Sequence, residues 1–161
     1  MTLILKTLFA SLFLFATSSY AIEVGSPAPD FSLKTLEGKD VRLGDYKGKN
    51  PVYLIFWATW CPVCEEEIPN LKAIYSRFQP KGLVLLAINV GINDSLKKAA
   101  LYKEKHKLPY AVLFDNDGSI TKSYGVMGTP TMIVMDKNGI IRYRASAVPD
   151  DLDKHFDKLM E

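Results

Sequence analysis

The sequence predicts an α/β sandwich, with a mixed central sheet between helices and a short β-hairpin in front. Three observations carry this. Val52-Tyr53-Leu54-Ile55-Phe56-Trp57 is continuously apolar, the mark of a strand buried on both faces of a parallel sheet. From there to Phe114, apolar runs of strand length alternate with segments of helical periodicity, the pattern of β-α-β units. Asn138-Gly139, flanked by two short apolar runs, is a hairpin signal that adds antiparallel strands near the end. With 161 residues, 48% hydrophobic and 24% charged, the chain suits a single domain of about 100 to 200 residues. A net charge of +2 leaves no electrostatic footprint for nucleic acid, so no such partner is expected.

The first 21 residues stand apart. A short, weakly basic start ends at Lys6, Leu8 to Ala16 is apolar, and Ser19-Tyr20-Ala21 is a small-x-small site. This is the pattern of a secretory signal peptide, leaving a domain from 22 to 161 in an exported, periplasmic setting. An uncleaved anchor is the alternative and the one route to membrane association. Lys6 interrupts the apolar stretch, however, and a spanning helix needs about 20 apolar residues. Lys6 is the only charged residue in the segment, so cleavage takes the net charge from +2 to +1.

In chain order, Gly25 to Asp30 is turn-rich and leads to short strands Phe31 to Leu33 and Val41 to Leu43, a hairpin around Glu37-Gly38. After the buried strand, Pro62 suits a first helical turn. Ile68, Leu71, Ile74, Tyr75 and Phe78 share one face, predicting a single helix to about Phe78 with a kink at Pro69. Leu83 to Val90 is the next strand. Asn93 or Asp94 is placed to cap a helix from Ser95 to about His106, with Leu96, Ala99 and Ala100 on its packed face. A strand at Ala111 to Phe114, a solvated turn at Asp115 to Gly118, and strands at Met132 to Met135 and Ile140 to Arg144 follow. Pro149 and Asp150 open a last helix with Leu152, Phe156, Leu159 and Met160 along one stripe.

The chemistry centres on Trp60-Cys61-Pro62-Val63-Cys64, which holds both cysteines of the chain. Cysteines one helical turn apart, following a buried strand, form a redox pair: one thiolate attacks and the other resolves the mixed disulfide. A bridge across two intervening residues constrains the unfolded chain little, so exchange explains the pair better than stapling does. Cys61, just before the helix, is the expected nucleophile because free amides and the helix dipole favour its thiolate. Cys64 is expected to be less exposed and to resolve. A structural zinc site needs four ligands, and only His106 and His155 remain, both in surface-like helical settings, so neither metal nor cofactor is expected. Asp115-Asn116-Asp117-Gly118 lacks the other carboxylates of a calcium loop. Two other readings use the same cysteines. One is a Cu(I) delivery protein, since thiolates suit that soft ion. The other is a peroxiredoxin-like antioxidant, which lacks its Pro-x-x-x-Thr-x-x-Cys arrangement because Ala58 stands three residues before Cys61.

The cysteine motif after a buried strand, with Gly128-Thr129-Pro130-Thr131 before a later one, resembles the thioredoxin fold. Ala28-Pro29-Asp30-Phe31, Cys64-Glu65-Glu66-Glu67-Ile68-Pro69 and the extra helix around Ser95 to His106 narrow this to the exported thiol-disulfide oxidoreductases of the TlpA, ResA and DsbE type. The resemblance spans the mature chain and implies a three-layer α/β/α domain with an inserted central helix. It implies that Pro130 is cis and lies against the cysteines, and that the Thr129 backbone pairs with an extended substrate. Trp60 would cover the site, and Glu67 would tune the thiols or handle protons. Partners implied are protein substrates bearing disulfides, as in cytochrome c maturation, and a membrane thiol-disulfide carrier as reductant; a monomer is expected. Two residues depart from the pattern. Ile55 stands where thioredoxins carry a buried acid, and Thr131 stands where the cytochrome-maturation subgroup usually has Glu.

Overall fold

The computed structural model describes residues 22–148 and 152–161; the expected signal segment and the expected helix opening at Pro149 and Asp150 lie outside them. Strands β1 (Ser32–Lys34) and β2 (Asp40–Arg42) form the expected antiparallel hairpin. The main sheet contains β3 (Val52–Trp57), β4 (Val84–Asn89), β5 (Ala111–Phe114), β6 (Thr131–Met135) and β7 (Ile141–Ala145), in the order β5-β4-β3-β6-β7. β3, β4 and β5 run parallel, while β6 is antiparallel to β3 and β7 to β6. Every residue of β3 is buried, as a central strand covered on both faces requires.

Helices are α1 (Pro62–Glu66), α2 (Ile68–Phe78), α3 (Leu96–Lys105), α4 (Ser119–Ser123) and α5 (Leu152–Leu159). Ring contacts show which face each layer covers, because alternate residues of a strand point to opposite sides. Trp57 packs on Tyr102 of α3, while its neighbour Phe56 packs on Tyr124, just past α4. On the α3 side Tyr75 of α2 meets Tyr110, and Phe78 of α2 stacks on Phe156 of α5. On the other side Tyr124 touches Phe31, beside the hairpin, and its hydroxyl donates to the Pro29 carbonyl at 2.6 Å. The result is the three-layer α/β/α domain of the expectation, with the inserted helix present.

Four local expectations need correction. The single helix kinked at Pro69 is two helices joined at Glu67. Pro69 has no N–H for the Glu65 carbonyl and its ring crowds that group, so the chain breaks there, and Pro69 sits in the first turn of α2. The cap of α3 is Ser95, neither Asn93 nor Asp94: its backbone is extended and its Oγ accepts from the Lys98 N–H. The packed face of α3 is Ala99 and Tyr102, whereas Leu96 and Ala100 are exposed. Asp115 is fully buried, so the turn it opens is not solvated throughout; its Oδ2 accepts from the Thr121 N–H and hydroxyl, both at 2.7 Å, and anchors the unforeseen α4.

Candidate active site

The carboxyl ends of the parallel strands define one edge of the sheet, and the chain brings the motif residues there from two directions. β3 ends at Trp57 and turns through Ala58–Trp60, with the Cys61 N–H donating to the Ala58 carbonyl at 3.2 Å. Thr131, the first residue of β6, pairs with Phe56 near the end of β3, so Thr129 and Pro130 reach β6 at this same edge. The Thr129–Pro130 peptide is cis, Pro130 is buried and Thr129 is half-buried.

Cys61 is the N-cap of α1, and its Sγ accepts from the Cys64 N–H at 3.2 Å. Cys61 and Cys64 form a disulfide with Cα atoms 5.3 Å apart. Both are buried in this oxidised state, at 5% and 3% exposure, so accessibility separates them far less than expected. Backbone position separates them clearly, because only Cys61 stands at the open start of the helix. The break at Glu67 makes α1 five residues long, so stabilisation of a thiolate rests on the nearby N–H groups of the first turn more than on a long helix dipole.

Trp57 is core, while Trp60 is 52% exposed beside Cys61 and its indole N–H donates to the Ile92 carbonyl at 2.8 Å. Val63 and Met127 also expose apolar side chains, one between the cysteines and one before Thr129. Glu67, at the joint between α1 and α2, is half-buried and its Oε2 accepts from Asn70 Nδ2 at 3.0 Å. Its charge reaches inward: burial first, then Tyr143 and Glu67, push the Tyr53 phenol well above the ordinary range. Ile55 is buried, so the β3 position of the usual acid is apolar.

Two features were missed in the sequence. His106 is not a surface residue: its ring stacks on Tyr102 at 4.1 Å, its side chain is 13% exposed, and Nε2 lies 3.7 Å from Glu65 Oε1. Among the described residues, Trp57 Nε1, Tyr102 Oη and His106 Nε2 are the buried polar side-chain atoms without a hydrogen-bond partner, and all belong to this stack. Asp94 has the sequence position of a helix cap, yet its carboxylate bonds to Thr59, two residues before Cys61. A helix cap and a long-range tie look alike in one sequence.

The AhpC/TSA family model matches residues 24–144, which include both cysteines and the Thr129–Pro130 step. The chain belongs to the AhpC/TSA family. Within it, the chain is 36% identical over 155 residues to the thiol-disulfide oxidoreductase ResA of Geobacillus thermodenitrificans, covering 95% of this chain and 86% of that one. The thioredoxin domain of a thiol-disulfide oxidoreductase from Bacteroides vulgatus superposes with a TM-score of 0.75 at 27% identity, over 86% of this chain and 99% of that one. A protein assigned as the thiol:disulfide interchange protein DsbE of Chlorobium tepidum superposes with a TM-score of 0.73 at 28% identity, over 86% and 96%. The fold is thioredoxin-like and the enzyme class is thiol-disulfide oxidoreductase.

Proposed function

We propose that the protein is an exported reductase of protein disulfides, with Cys61 as the attacking thiol and Cys64 as the resolving one. The observation that carries the assignment is the placement of Cys61 at the N-cap of α1 with the Cys64 N–H aimed at its sulfur. Charge-assisted donation of that kind favours a thiolate. In the reduced protein, the Cys61 thiolate attacks one sulfur of a substrate disulfide and the other substrate sulfur leaves as a thiolate, which takes a proton from water. Cys64 then loses its proton and attacks Cys61 Sγ; the intramolecular disulfide forms and the second substrate thiol is released. Two electrons pass to the substrate, and a membrane thiol-disulfide carrier returns them.

In this reading, an extended substrate lies across the Thr129 backbone beside Pro130, and the apolar surfaces of Trp60 and Met127 flank it. Glu67 is the carboxylate that exchanges the thiol protons, since Ile55 removes the alternative on β3. Cleavage after residue 21 frees a monomeric domain into the periplasm, and haem-attachment cysteines in cytochrome c maturation are one client class of suitable chemistry. No helix among the described residues is long and apolar enough to cross a membrane.

Expression of Cys64→Ser with its signal segment is expected to leave clients attached to Cys61 as mixed disulfides, identifiable by mass spectrometry, while Cys61→Ser traps none. Absence of any Cys61-linked protein from cells would refute protein substrates. A measured potential near that of strong oxidants, about −120 mV, would reverse the direction of electron flow.

A further inference from the structure

Between β4 and α3 the chain runs through Val90–Ser95, a segment to which the thiol chemistry assigns no task. Asp94 in this segment accepts four hydrogen bonds. They come from the Thr59 N–H at 2.8 Å, the Thr59 hydroxyl at 3.0 Å, Asn89 Nδ2 at 2.8 Å and the Ser95 N–H at 2.9 Å. Asn89 is fully buried, and its Oδ1 accepts from the Gly91 N–H at 3.0 Å, so this donor to the Asp94 carboxylate is itself held. Ile92 contributes the carbonyl that receives the Trp60 indole N–H. Both residues just before Cys61 are therefore tied to one distant loop.

The loop is built to stay in place. Asn93 adopts φ 53°, a left-handed conformation that asparagine accepts more readily than most side chains. Gly91 adopts φ 72°, and a Cβ there would lie 2.2 Å from the Asp115 carbonyl oxygen. The turn from Ala58 to Cys61 has one backbone bond of its own, Cys61 N–H to Ala58 O, so its orientation depends on what grips Thr59.

We propose that Asp94 is a positioning residue for Cys61: through Thr59 it fixes the turn that aims Sγ at the substrate disulfide. The inference rests on Cys61 being the attacking thiol. Four donors occupy the lone pairs of the Asp94 carboxylate, so it neither gives nor takes a proton in the exchange. Its contribution is orientation, which matters for a sulfur that must meet a disulfide in line and hardly at all for a small alkylating reagent that can approach from many directions.

The test compares reduced wild type, Asp94→Asn, Thr59→Val and Thr59→Ser in two reactions of Cys61, alkylation by iodoacetamide across pH and single-turnover attack on a disulfide-bridged peptide. Asn at 94 keeps the shape but turns an amide N–H₂ toward existing donors, and Val at 59 removes only the hydroxyl donor. The expected result is a loss of about tenfold or more in peptide attack for Asp94→Asn. Thr59→Val should show a smaller loss, Thr59→Ser should match wild type, and the alkylation pH profile should be unchanged in all four. Wild-type peptide rates in a folded Asp94→Asn, or equal losses in both reactions, overturn the inference alone. Should Asp94→Asn fail to fold, the Thr59→Val and Thr59→Ser pair decides by the same criteria. A wild-type protein unable to attack the peptide overturns the proposed function and the inference with it.

Discussion

Gly91 and Asp115 meet across the site edge with no room between them. A methyl group at 91 would sit 2.2 Å from the Asp115 carbonyl oxygen, and that oxygen belongs to backbone anchored by the bonds from its side chain to Thr121. The positive φ adds strain for any residue with a Cβ. Gly91→Ala is therefore expected to destabilise the domain by roughly 3 kcal/mol. Calorimetry checks this, and an unchanged melting temperature would show that the loop gives way freely. Asp94, three residues on, illustrates what a sequence displays of such a place. A short acidic residue before a helical segment signals a cap, and the signal is local; Thr59 lies 35 residues earlier, and nothing in the spacing announces the tie. Burial alone would raise the Asp94 pKa, but the bonds from Asn89, Thr59 and Ser95 outweigh it and hold the carboxyl below its usual value. The cysteines were legible for the opposite reason: their chemistry depends on a spacing of three along one chain. His106 is less legible, because a polar residue at a helix end suggests exposure whereas its flat imidazole packs on Tyr102.

Helices and strands differ in how openly their ends are written. β3 coincides with its apolar run from Val52 to Trp57 because burial on both faces leaves no polar residue inside it. Helix ends depend on single side chains, and there the pattern misled. Pro69 announces a disturbance, but the carbonyl that its ring crowds and that its missing N–H cannot serve belongs to Glu65, one turn upstream, so the break falls at Glu67 and shortens α1 to five residues. At α3 three neighbouring cap formers compete, and Ser95 takes the role because Asp94 is engaged with Thr59 and Asn89. This division of labour is testable. Ser95→Ala removes the acceptor for the Lys98 N–H and should cost about 1 kcal/mol, lowering the melting temperature by about 2 to 4 °C. The Asp94 contacts with Thr59 remain, so peptide attack should match wild type; a loss of attack comparable to that of Asp94→Asn would mean that α3 as a whole, not Asp94, holds the turn.

Across the whole molecule, the order β5-β4-β3-β6-β7 puts β3 at the centre and gathers the starts of α1 and α3 and the Thr129–Pro130 step at one edge. The parallel centre and the antiparallel strands beside it were legible from the β-α-β alternation and the Asn138-Gly139 hairpin signal, whereas the strand order was not, and the meeting of Thr129–Pro130 with the cysteines was implied only by the resemblance to the thioredoxin fold. The same packing buries phenols on both faces, which the sequence could not show since tyrosine is as common at surfaces as within. Tyr53, Tyr110 and Tyr124 are pushed well above the ordinary tyrosine range, chiefly by burial. Tyr102 is pushed up to about 12 by burial and then by Glu65. Below about pH 10 these groups are protonated in both folded and unfolded chains and do not affect the balance. Above it the unfolded chain releases protons that the folded one retains, so stability falls as pH rises, for Tyr102 between about 10 and about 12. Each such group removes about 1.4 kcal/mol per pH unit within its window, so the effect deepens as more of them come into play. Alkaline unfolding is thus expected to be cooperative, with the phenolate absorbance of the buried tyrosines rising together with the loss of tertiary structure. Tyr102→Phe removes one group from the set, and because the Tyr102 hydroxyl has no hydrogen-bond partner, the substitution should keep the fold and move the alkaline midpoint upward. Reversible ionisation of all tyrosines in the ordinary range, with near-ultraviolet circular dichroism intact, would show that these phenols are open to water and that burial does not drive the alkaline transition.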